Sequence, residues 1–162
     1  MNKAEQRHLE RHDQNRRAAR LRAVQALFQM DLGGIGARRV VSEFLEDRLA
    51  GKDETGPQCQ ADTALFEKIV LGVVEYQDEI DQAIRRHLAQ NWRLERLDAT
   101  LRALLRAAGY EILHVTKTPA KVILNQYVDL AGDFFDGPEA GFVNAALESL
   151  ARAERTGELT PP

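Results

Sequence analysis

A chain of 162 residues and 18.2 kDa is long enough to bury a hydrophobic core without metal or disulfide staples, and short enough to default to one domain. The single Cys59 excludes an internal disulfide and suits a reducing cytosol, and no apolar run approaches the roughly 20 residues of a membrane span or the core of a signal peptide; a soluble, cytoplasmic protein without membrane contact is expected. The net charge of −3 conceals a polarity, because the residues through Arg22 hold seven cations (Lys3, Arg7, Arg11, Arg16, Arg17, Arg20, Arg22) against three acids (Glu5, Glu10, Asp13), which is +4 and leaves −7 for the rest. A basic stripe on an acidic body attracts a polyanion, so nucleic acid is the first partner class to consider.

In chain order, residues 1–14 are polar and read as a flexible basic arm. Asn15 is a candidate N-cap for a helix in which Leu21, Val24, Leu27, Phe28 and Leu32 recur at three- and four-residue spacing, and Gly33-Gly34 ends it. A second helix is predicted over 37–50 on Val40, Val41, Phe44, Leu45 and Leu49, followed by a loop over 51–60. Asp62 or Thr63 caps a third helical region with a long stripe from Leu65 to Leu88, interrupted near Tyr76-Gln77-Asp78. After Asn91-Trp92-Arg93, Asp98 caps the most apolar helix, with Leu101, Leu104, Leu105, Ala108, Ile112 and Leu113, which makes it the candidate centre of the fold. Thr118 as N-cap and Pro119 at the first helical position restart a helix carrying Val122, Ile123, Tyr127, Val128 and Leu130. Gly137-Pro138-Glu139 repeats that logic before Phe142, Val143, Ala146, Leu147 and Leu150. The domain is expected to span 15–153, with 154–162 as a frayed tail. Nothing alternates at period two, so the fold class is all-α.

Catalytic signatures are absent: there is no Gly-x-Ser-x-Gly, no P-loop and no His-Glu-x-x-His. Gly33-Gly34-Ile35-Gly36 follows no predicted strand and reads as a helix stop. His8 and His12, four apart in a cationic segment, make a poor metal site, and His87 and His114 stand alone. No enzyme activity, cofactor or metal is expected.

Two stretches resemble a known family. Arg16-Arg17 through Arg20 with Ala23-Val24-Gln25-Ala26-Leu27-Phe28-Gln29-Met30 is similar to the opening helix of the NusB family of bacterial transcription antitermination factors. The run Leu101-Arg102-Ala103-Leu104-Leu105-Arg106-Ala107-Ala108-Gly109-Tyr110-Glu111-Ile112-Leu113, then Thr118-Pro119-Ala120-Lys121-Val122-Ile123-Leu124-Asn125-Gln126, then Gly141-Phe142-Val143-Asn144-Ala145-Ala146-Leu147, resembles its C-terminal half in order and spacing. The likeness covers about 15–152.

The resemblance implies two small helical bundles with about seven helices, and a factor that binds a boxA-type single-stranded element of nascent ribosomal RNA. It further implies pairing with NusE, a ribosomal protein of the small subunit, and action within the RNA polymerase antitermination complex to suppress premature termination. Carried over residue by residue, it places RNA-binding on Arg16, Arg17, Arg20, Lys121 and Phe142. Arg16 and Arg20 are four apart on a helix, a spacing that lets both guanidinium groups reach one phosphate track. Partner-binding falls on Glu75, Asp98 and Arg102, although Leu101 occupies a position that is often acidic in the family. A NusB-like module also opens certain ribosomal RNA cytosine methyltransferases, but the length leaves no room for a methyl-donor domain. The alternative reading is a helical interaction scaffold or homodimer without specific RNA binding.

Overall fold

A computed structural model describes residues 2–46 and 62–159. The predicted Leu49, Cys59 and the loop over 51–60 lie outside the described residues. Among those described, seven α-helices and one 3-10 turn carry the chain: α1 (Lys3–Gly33), α2 (Ala37–Phe44), α3 (Thr63–Glu75), α4 (Gln77–Arg86), the turn Leu94–Arg96, α5 (Ala99–His114), α6 (Ala120–Phe134) and α7 (Glu139–Glu154). They form two compact units, residues 1–71 and 72–162, with the division inside α3. This matches the expected all-α pair of small bundles, a division that no composition shift announces.

In the first unit, α1 begins well before Asn15. Asn2 is its cap: Asn2 Oδ1 accepts from the Glu5 amide at 2.8 Å, and Glu5 Oε2 accepts from the Asn2 amide at 3.1 Å, a reciprocal box that satisfies two amides the helix cannot. No Gly, Pro or β-branched residue occurs from Lys3 to Ala23, so nothing stops the helix propagating through the segment expected as an arm. At the other end Gly34 takes φ 65° and returns its N–H to the Met30 carbonyl at 3.1 Å, a left-handed cap that glycine adopts without Cβ strain. The core of this unit holds Ala23, Val24, Leu27, Val40, Val41, Phe44, Phe66 and Ile69, with the Phe44 and Phe66 rings stacked at 5.6 Å. Leu32, read as part of the α1 stripe, is instead 66% exposed beside the cap.

In the second unit α5 packs against α4, α6 and α7, and α6 lies along α7. The helix expected at the centre is therefore the central helix of this unit. Tyr76 breaks α3 from α4 as the interrupted stripe implies. Asp98 caps α5 by accepting from the Thr100 amide at 2.9 Å. Asp81 on α4 and Arg106 on α5 form a two-pronged, largely buried pair at 2.9 and 3.0 Å.

Two corrections fall at the C-terminal end. The restart shifts by one residue, with Pro119 as the cap and Ala120 the first helical residue. Pro119 offers no side-chain acceptor, and Glu158 supplies one, accepting the Ala120 amide at 3.0 Å. The segment from 154 is accordingly not a free tail through its described part. Arg155 is 6% exposed and donates to the carbonyls of Ile112 (2.7 Å), Val115 (2.7 Å), Glu111 (3.1 Å) and Thr118 (3.0 Å). Four carbonyls left over at the end of α5 and the turn after it find their donors there. Val122, assigned to an apolar stripe, faces out at 43% exposure.

Candidate nucleic-acid interface

Because α1 is continuous from Lys3, its cations divide by helical phase. At 3.6 residues per turn, Lys3, Arg7 and Arg11 fall within about 80° of one another, Arg17 lies about 40° to one side of Lys3 and Arg22 about 20° beyond Arg11, whereas Arg16 and Arg20 sit on the opposite face. The burial follows the phase. Lys3, Arg7 and Arg11 are exposed, Arg17 and Arg22 half-buried, and Arg22 donates to Gln25 Oε1 at 2.9 Å.

Arg20 is only 2% exposed and ranks among the largest buried side chains, lying on the face that carries Ala19, Ala23, Val24 and Leu27. The expectation that Arg16 and Arg20 point together at a phosphate track is corrected: the two share a face, but that face is turned to the protein. Arg16 pairs with Asp62 at 3.6 Å, with side-chain exposures of 25% and 27%. Asp62 also donates its amide to the Asn15 carbonyl at 2.9 Å and accepts the Leu65 amide at 2.9 Å. The start of α3 is thereby fastened to the middle of α1. Of the three predicted arginines, Arg17 retains the most direct access to a ligand by phase. The exposed cations Lys3, Arg7 and Arg11 were not singled out, because a segment read as an arm has no face; the missing signal was the unbroken helix-forming composition.

In the second unit, Lys121 is exposed in the first turn of α6. Phe142 is half-buried on α7, its ring tilted at 43° on Trp92 with centroids 4.6 Å apart. The two rings line a cavity of about 360 Å³ together with Arg96, Leu97, Asp98, Leu101, Phe135, Pro138 and Glu139. The structure thus brings Phe142 and Asp98 to one cavity, along with the Leu101 that departs from the family pattern. Asp98 also caps α5.

Arg102 turns toward the preceding segment and donates to the carbonyls of Leu97 (3.1 Å), Glu95 (3.3 Å) and Leu94 (3.5 Å), holding the 3-10 turn against α5. Glu75 is exposed at the C-terminal residue of α3. Close by in sequence, Arg85 and Glu95 pair at 2.6 Å. A backbone hydrogen bond and then the Arg85 contact hold the Glu95 carboxyl below its ordinary range. Trp92, Arg96 and Glu139 are the residues that sequence reasoning missed here. A lone tryptophan in the polar run Gln90-Asn91-Trp92-Arg93 was the available signal.

Tyr76, Tyr110 and His114 form a second aromatic group, with the Tyr76 and His114 rings stacked at 4.1 Å. Burial, then the neighbouring Tyr76, Glu75 and Glu111, pushes the Tyr110 hydroxyl up from its ordinary value. No helix of the described residues is long and apolar enough to cross a membrane.

The pattern of the NusB family matches residues 17–152. The chain is 49% identical over 143 residues to the transcription antitermination protein NusB of Maricaulis maris, covering 88% of this chain and 89% of that one. It is 48% identical to the protein of the same name from Caulobacter vibrioides, covering 88% and 95%. Its fold is similar to NusB in a crystal structure of the antitermination factors NusB and NusE in complex with double-stranded RNA. There the TM-score is 0.71 at 25% identity, over 86% of this chain and 97% of that one.

Proposed function

The chain belongs to the NusB family, and we propose that it is a cytoplasmic transcription antitermination factor. In this reading it binds a boxA-type element of nascent ribosomal RNA together with NusE and helps RNA polymerase avoid premature termination. The protein is a non-enzymatic binder, so its task is recognition. The observation that carries the RNA side is the cationic face of α1, where Lys3, Arg7, Arg11 and Arg17 align on one helix of a chain that is otherwise acidic. Such a face neutralises successive phosphates and releases their counterions. Support for the NusE side comes from the family and from the solved complex that carries both proteins.

Within this reading the contacts to RNA are made by Arg17 and the exposed cations before it, by Lys121 and by Phe142. Arg16 and Arg20 hold α1 in position rather than touching phosphate. Glu75 and Asp98 are assigned to the NusE-facing surface, and Arg102 supports it by fixing the turn that precedes α5.

Fluorescence anisotropy of a labelled boxA-containing RNA and a scrambled control, titrated with the protein alone and with NusE, tests this. Selective binding to boxA that tightens with NusE is the expected result. Equal weak binding to both RNAs, unchanged by NusE, would assign the chain to a helical scaffold instead, and sedimentation would then show whether it self-associates.

A further inference from the structure

Trp92 is the chain's only tryptophan and is 49% exposed. Keeping so large an apolar ring in water forgoes roughly 1.5–3 kcal/mol of burial. The ring is nonetheless held in place on Phe142, and the two rings form an aromatic wall of the 360 Å³ cavity. Leu97, Leu101 and Phe135 supply the rest of its apolar lining.

Two polar groups on the same cavity narrow the class of ligand. Glu139 Oε2 is buried and has no hydrogen-bond partner among the described residues. A buried acceptor left without a donor costs about 1–3 kcal/mol, so a ligand that brings an N–H relieves that cost. Arg96 is exposed at the same cavity and offers a planar cation to a phosphate or a π face. Asp98 differs from Glu139 in that its Oδ1 already accepts backbone amides. A flat ring, an N–H donor on its edge and an adjoining anion together describe a nucleotide.

We propose that this cavity is a base pocket. An unpaired adenine, cytosine or guanine stacks on the Trp92–Phe142 wall, donates an amino N–H to Glu139 and sets its phosphate near Arg96. Uracil fits worse, because its one N–H lies between two carbonyl oxygens that a carboxylate repels. The proposal rests on the RNA-binding reading above and adds to it a residue-level preference. A side chain of a protein partner is the competing occupant.

The sole tryptophan reports on the pocket directly. The full-length protein is titrated with single-stranded oligo(A), oligo(C) and oligo(U) and with an oligo(A)–oligo(U) duplex, while Trp92 emission and the anisotropy of end-labelled RNA are followed in parallel. Expected are strong quenching by oligo(A) and oligo(C), weaker quenching by oligo(U) and none by the duplex. Trp92→Ala should weaken single-strand binding by about tenfold, with Trp92→Phe restoring most of it, since one base stack contributes on that scale. Glu139→Gln should narrow the preference over oligo(U), because an amide can donate to a carbonyl. RNA binding seen by anisotropy with Trp92 emission unchanged, or with Trp92→Ala as tight as wild type, overturns the pocket and leaves the RNA-binding reading standing. No anisotropy change with any RNA, NusE present or absent, removes that reading and this one with it. A Trp92 response to NusE but to no RNA gives the cavity to the protein partner and overturns the proposal.

Discussion

Arg155 shows what one side chain does in this fold. Its guanidinium serves four carbonyls around the end of α5 and pairs with Glu158 at 2.9 Å. Arg155→Ala leaves those carbonyls buried without donors and should cost on the order of 3 kcal/mol, read as a lower urea midpoint. Arg155→Lys should recover little, because an ammonium lacks the planar fork that reaches several acceptors at once. Glu158 is held below the ordinary glutamate pKa, first by the Ala120 amide and then by Arg155. A lowered folded-state pKa means that the contribution is present above the ordinary value and is lost as pH falls through the lowered one. Wild type should therefore lose stability more steeply than Glu158→Gln between about pH 5 and about pH 3, measured by urea unfolding at each pH. Arg106→Ala leaves the Asp81 carboxylate buried at 6% exposure and should cost about 3–5 kcal/mol in the same assay.

Among the elements, α1 combines two functions along its length. From Asn15 onward it contributes to the core of the first unit, while from Lys3 to Gln14 every residue is exposed. A helix segment that buries nothing contributes little to stability, so it persists through its capping box and continuity with the packed part. Deleting residues 2–14 should change the unfolding free energy by less than about 1 kcal/mol. It should also lower the slope of log affinity against log salt by up to about 2, since each phosphate neutralised on a single strand contributes about 0.7 and three cations are removed. Anisotropy titrations across a salt series measure that slope. Arg20→Ala should behave in the opposite way. It should lower the unfolding midpoint while leaving the salt slope unchanged, because a side chain 2% exposed packs rather than meets phosphate.

At the scale of the whole molecule, the number of helices, most of their boundaries and the identity of the central helix were legible in the chain. Amphipathic stripes and caps are local: Asp98, Gly34 and the break at Tyr76 all act within a few residues of themselves. Family membership was legible for the same reason, since it rests on the order of short runs. The start of α1 was misplaced because a polar segment without an apolar face carries no periodic signal, although its capping box at Asn2 and Glu5 was in plain view. What only the tertiary structure decided was which side each charge faces and which distant groups meet. Arg16 and Arg20 look like the surface of a basic helix until phase and packing turn them inward, one toward Asp62 and one into the core. Trp92, Glu139 and Phe142 lie up to fifty residues apart, and only the fold brings them to one cavity. The sequence by itself determined the helices and the family, because those depend on neighbours a few residues away. The surface available to RNA was decided by packing, which relates residues that no local pattern connects.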